Sequence, residues 1–185
     1  MRHGFVYVGS AVLWASAACS GGGHGSGTTP AANNGPDPEV CAWAPAGECQ
    51  LADFTKMNKA PYFAKTHGKR FVDVWVNTTG LAAYKDESAT LPVGSVIVKT
   101  SYERKDGKPT DARGPIFVMI KKEAGFNEKG GDWWYAIHWA KPTGSFAADG
   151  PIDWKTPEKK VGYCSGCHDG YDRQLGMVPE DARAW

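Results

Sequence analysis

Near the end of the chain stands Cys164-Ser165-Gly166-Cys167-His168, the stretch that most narrows what this polypeptide can fold around. Two cysteines three positions apart share one face of a helical turn, so both thiols can bond the two vinyl groups of a single haem. The histidine directly behind the second cysteine then reaches the iron from the proximal side. A zinc site would need two further ligands with knuckle-like spacing. A thioredoxin-like redox pair would need a preceding strand in a βαβ unit, and this motif instead follows a loop containing Pro and Lys. The motif predicts one covalently bound haem c near the C-terminus, attached through Cys164 and Cys167, with His168 as an axial ligand of the iron.

The remaining cysteines point outside the cytoplasm. Met1-Arg2-His3-Gly4 is a short, weakly basic start, and Phe5 to Trp14 is apolar apart from Gly9 and Ser10. Ala15-Ser16-Ala17-Ala18 then supplies small residues ahead of Cys19, the pattern of a signal peptide over residues 1–18. A cysteine in that position resembles a bacterial lipoprotein box, which would make Cys19 the lipid attachment; the usual Leu three places earlier is Ser16 here. Residues 19–40 are mostly Gly, Ser, Thr, Pro, Ala and Asn, too polar to offset their ordering entropy, and read as a flexible tether. Cys41 and Cys49 are left over. In an exported protein they are most simply a disulfide, worth about 2–3 kcal/mol on the loop-entropy model. The expected arrangement is a folded haem domain over residues 41–185, periplasmic or on the outer surface of a bacterial membrane, and lipid-anchored.

Charge excludes one class of partner. With 21 Lys+Arg against 20 Asp+Glu the chain carries a formal +1, which leaves no broad basic surface for nucleic acid. Beyond the N-terminus no stretch approaches ~18 consecutive apolar residues, so membrane contact is expected only through the lipid. Leu is scarce while Phe, Trp and Tyr make up 12% of the residues. That balance favours strands over a helical bundle.

Residues 50–66 mix apolar and polar positions with helix formers and predict one or two short helices. Four strands follow. Phe71 to Asn77 alternates, with Val72, Val74 and Val76 on one face. Ser95 to Tyr102 follows a Pro-Val-Gly turn and puts Val96, Val98, Thr100 and Tyr102 on one face, Ile97, Lys99 and Ser101 on the other. Pro115–Lys121 and Trp133–Ala140 are the third and fourth. Between the first two, Thr78–Lys85 predicts a short helix capped by Thr78 or Thr79. Turn-forming spacers such as Lys105-Asp106-Gly107-Lys108 make antiparallel neighbours of the strands. The fold class is therefore α+β: a small, mainly antiparallel sheet with short helices and a helical piece at the C-terminal motif.

What faces the iron opposite His168 decides the function. An electron carrier would close that position with a methionine, and Met177, Met57 and Met119 are candidates, although Met119 reads as core and Met177 as a packing residue. His138 reads as a core or pocket residue, and His67 suits a turn as well as a ligand. His3 and His24 lie outside the folded part.

From about Lys59 to Asp172 the chain resembles the cytochrome P-460 family, which includes the β-sheet cytochromes c′. The resemblance rests on His67-Gly68 before the strand ending Val74-Trp75-Val76-Asn77, and on Leu91-Pro92-Val93-Gly94-Ser95-Val96-Ile97-Val98-Lys99. Met119 with Lys121, Gly131-Asp132-Trp133-Trp134 and the Cys164–His168 motif continue it in order. Val93 and Thr100 stand where the family often has acidic residues. The resemblance implies a haem c packed on an antiparallel sheet, a distal site open to small molecules, and possible homodimers. In the P-460 branch a strand lysine is bonded to a haem meso carbon, and Lys99 stands at that position. With the crosslink, the implied activity is a haem-dependent oxidoreductase that oxidises hydroxylamine, aided by nitric oxide, with a pocket carboxylate such as Glu103, Glu123 or Glu128 taking a proton. Without it, the implied function is nitric oxide binding in an apolar pocket lined by Phe117, Trp134 and Tyr135. A plain electron-transfer cytochrome with Met177 on the iron is the third alternative; the redox partner is not identified by any of these readings.

Overall fold

The computed structural model describes residues 38–45, 47–168 and 177–185. The signal peptide, Cys19 with its expected lipid, most of the tether, His3 and His24 lie outside the described residues.

Eight strands form one sheet in which every pairing is antiparallel. They are β1 (Phe54–Lys56), β2 (Tyr62–Ala64), β3 (Arg70–Asn77), β4 (Val96–Lys105), β5 (Lys108–Arg113), β6 (Ile116–Lys121), β7 (Trp133–Trp139) and β8 (Ile152–Lys155). The order is β1-β3-β4-β6-β7-β8, with β2 also beside β3 and β5 also beside β4. Helix α1 (Thr78–Lys85) joins β3 to β4, and α2 (Gly162–His168) carries the cysteine motif after β8. The domain is α+β and mainly antiparallel sheet.

The alternation of β3 and β4 sorts the core into two layers. Val74, Val76 and Ile97 fall on one face with Met119, Tyr135 and Ile137. Trp75 and Val98 fall on the other with Ile116, Val118 and Ala136. Side chains on a strand point alternately to opposite faces, so each strand feeds both layers. The second layer is covered by the segment around Val40, Trp43 and the Cys41–Cys49 disulfide. The first layer carries α2 and the cavity described below.

Three expectations change. Residues 50–66 hold a three-residue 3-10 turn, Leu51–Asp53, followed by β1 and β2 instead of helices. Pairing to β3, at Thr55↔Val76 and Phe63↔Phe71, overrides the weak helical propensity there. The cap of α1 is Asn77, whose side-chain oxygen accepts from Gly80 N at 3.1 Å and Val96 N at 2.9 Å; Thr78 is already helical. Eight strands replace four, because β1, β2, β5 and β8 are short and lie at the ends or edges of longer ones.

Asp73 anchors the β3 end of the sheet. It is buried, and it accepts from Asn58 Nδ2 at 2.7 Å, from the Tyr102 hydroxyl at 2.8 Å and from Lys56 Nζ at 2.9 Å. Asp73→Ala strands these donors and is expected to cost about 2–3 kcal/mol, read as a lower urea midpoint at unchanged slope. An unchanged midpoint would show the three donors to be satisfied without the carboxylate.

Candidate functional site

The register of four strands lines up one row of side chains on the first face. Lys99 pairs with Phe117, Phe117 with Ile137, and Ile137 with Trp154. The neighbouring row runs Ile97, Met119, Tyr135. Above these rows lies a cavity of about 260 Å³, with the turn at Thr66–Arg70 on one side and Tyr163, Cys164, Cys167 and His168 of α2 on another. Phe146, in the 3-10 segment Gly144–Asp149 between β7 and β8, packs between Trp139 and Trp154 at ring distances of 6.0 and 6.2 Å and completes the wall.

The sheet face explains the state of Lys99. Its side chain is only 4% exposed, and among the described residues it makes no hydrogen bond or ion pair. Burial without a counter-charge disfavours the ammonium form and lowers the amine to about 8. His168 is buried, 6.1 Å from the Tyr135 ring, and its Nδ1 has no hydrogen-bond partner among the described residues. Burial, then the charge of Lys99, holds the imidazole down to about 4, so it is neutral and able to bind a metal. The Cys164 thiol is pushed up to about 11, chiefly by burial. Cys167 lies at the exposed end of the same wall.

Other predicted residues separate according to strand alternation. Phe117 and Tyr135 line the cavity, whereas Trp134 faces the opposite layer and packs on Trp43 at 6.3 Å. Adjacent side chains of one strand point to opposite faces, so Tyr135 turns to the cavity and Trp134 to the other layer. His138 points away from the cavity for the same reason. His67 does not serve merely as a turn residue: it lines the cavity, with its ring 4.8 Å from Phe117 and 6.5 Å from His168. Burial, with lesser contributions from Lys99 and His168, holds its pKa far below the usual imidazole value.

Met119 lines the cavity, Met57 is buried in the core, and Met177 is outside the lining. None of Glu103, Glu123 and Glu128 lines it either; Glu103 instead bonds Arg70, while Glu123 and Glu128 are exposed. Arg70, Trp139, Phe146 and Trp154 are lining residues that sequence reading missed. Trp139 and Trp154 carried a signal, Trp139 by sharing the strand parity of Tyr135 and Trp154 by alternating with Ile152.

Two thiols one helical turn apart and a neutral imidazole border an apolar slot; this donor set fits a porphyrin held by thioethers and one axial nitrogen. The family model described as Cytochrome P460 matches residues 52–175. No curated protein matches the chain. The match spans well over half of the chain, which belongs to the cytochrome P460 family and is a c-type haem cytochrome of that family.

Proposed function

For this cytochrome P460 family member we propose an exported, single-haem protein whose distal site is open to small nitrogen species and oxidises hydroxylamine, with Lys99 bonded to the macrocycle. The observation that carries the reading is Lys99 itself: a buried amine without a counter-charge on the wall that also holds Cys164, Cys167 and His168. Haem bound there would supply an iron that takes a small ligand and passes electrons one at a time. Cys164 and Cys167 would each add a thiol across a vinyl group, the sulfur bonding one carbon and the hydrogen the other. His168 would donate its neutral ring nitrogen to the iron. Lys99, lowered to about 8 by burial, offers a nucleophilic lone pair in an appreciable fraction of molecules near neutral pH. Joining its nitrogen to a meso carbon would release two protons and two electrons, which a peroxide would take up as the external two-electron oxidant, leaving water.

Met177, off the lining, supports an open site over a methionine-capped electron carrier. No carboxylate lines the cavity among the described residues, and His67, held far below the usual imidazole pKa by burial, is a poor proton acceptor. The same lack of a carboxylate favours a second reading, nitric oxide binding without turnover in an apolar pocket under Phe117. Residues 1–18 and Cys19 would deliver the domain to the outside of the cytoplasm on a lipid anchor, which agrees with the Cys41–Cys49 disulfide.

An absorption spectrum of reduced holoprotein, with and without nitric oxide, tests the reading. A broad, strongly red-shifted Soret band together with hydroxylamine-dependent reduction of the ferric form is the expected result. A normal high-spin haem c that shifts with the gas would leave the binding-only reading. A sharp low-spin spectrum indifferent to the gas would overturn both.

A further inference from the structure

The cavity holds a second cation with no part assigned above. The Arg70 guanidinium lies 5.0 Å from the Trp139 ring centroid. Its Nε and Nη2 donate to Glu103 Oε1 at 3.2 and 3.1 Å, and Nη1 donates to the Gly68 carbonyl at 3.3 Å. Two glycines make room for it. A Cβ at Gly68 would stand 2.2 Å from Nη1, and one at Gly114 would stand 2.8 Å from Cδ and Nε. Gly68 has φ +73°, so a side chain there would be strained as well as obstructed. The seat is shaped to this guanidinium.

Three of the five guanidinium N–H groups are used in these bonds. One on each terminal nitrogen has no partner among the described residues. The cavity wall carries Arg70 and Lys99 but, among the described residues, no carboxylate. A planar fork of donors on such a wall matches the paired oxygens of a carboxylate-like anion.

We propose that Arg70 is an oxyanion-binding group of the cavity, receiving a carboxylate-type anion on its two spare N–H donors. The proposal rests on the haem reading above. Two sources share this chemistry: a propionate side chain of the bound haem, and a small oxyanion such as nitrite. Glu103 orients the guanidinium and competes for it, tied in turn to the β7–β8 connection by a 3.1 Å bond from Thr143 Oγ1.

The test uses holoprotein matured in a host that attaches haem c, as wild type, Arg70→Gln, Arg70→Lys and Glu103→Gln. Sodium nitrite is titrated into the ferric form by absorbance, and the propionate bending band is read by resonance Raman. For a small oxyanion, nitrite binding weakens about tenfold in both Arg70 variants, as loss of a charge-assisted bond requires, and tightens in Glu103→Gln. For a propionate, nitrite binding is equal in all four proteins and the bending band shifts in both Arg70 variants. Arg70→Lys keeps the charge but loses the fork, so a lysine variant identical to wild type on both readouts overturns the proposal. So does an equal, same-direction change in the Arg70 and Glu103 variants, which marks a structural ion pair. Wild type without haem defeats the underlying reading before any variant is made.

Discussion

Lys99→Met is expected to return a broad, red-shifted Soret band completely to the position of an ordinary haem c. The argument begins with register. Lys99 sits opposite Val74 on one neighbouring strand and Phe117 on the other, in a row that continues to Ile137 and Trp154. It is the one charged side chain in that row. A lysine at this depth ordinarily pairs with an acid or reaches out to water; this one does neither among the described residues. Its amine, lowered to about 8, is substantially neutral near pH 8 and so is chemically competent. Methionine is the chosen replacement because it fills a similar volume and leaves no hole against Phe117. The spectrum is read on purified, reduced protein. A band that stays red-shifted in Lys99→Met would assign the perturbation to another residue and end the crosslink reading.

The second large effect is all-or-none. In Cys164→Ser/Cys167→Ser, haem is expected to be lost entirely on denaturation, and the unfolded polypeptide to weigh only what its amino acids weigh. Wild type should retain the extra mass of one haem. The two thiols stand on consecutive turns of α2 and line the same wall as His168, so a single porphyrin can meet all three. An intact haem adduct in the double variant would place the attachment elsewhere. Without haem, the apolar wall formed by Phe117, Ile137, Trp154 and their neighbours would face water, and such a slot without its occupant gives up burial worth about 25 cal/mol per Å².

Much of this molecule could be read from residue order because its central strands alternate cleanly. Val74 and Val76, and Ile97 against Val98, announce a period of two, and the structure assigns them to faces accordingly. The pieces that escaped are those whose conformation is decided elsewhere. Tyr62–Ala64 carries no alternation long enough to see, and it is a strand because β3 offers it a free edge. The cap of α1 falls on Asn77, ahead of Thr78 and Thr79, because Asn77 serves two amides at once, one in the helix and one at the head of β4. Neither demand is visible from the helix alone.

The site divides in the same way. The cysteine motif and Lys99 were legible, the first by spacing and the second by resemblance. Arg70 and Phe146 were not, since their positions depend on a glycine-lined seat and on a loop packed between two tryptophans. The expected pocket glutamate fails for a physical reason: Glu103 is drawn to the guanidinium of Arg70, where its charge is compensated, and does not line the apolar cavity alone.

The two pairs of cysteines sit on opposite sides of the sheet: Cys41 and Cys49 against the Trp75 layer, Cys164 against the Tyr135 layer. Once the strands have assembled, a wall of backbone stands between them, and a mispaired bridge from one couple to the other would have to pass through it. The Cys41–Cys49 bridge therefore closes on one face while Cys164 and Cys167 stay out of its reach on the other. The thickness of a single β-layer thus holds the two couples of sulfur atoms apart.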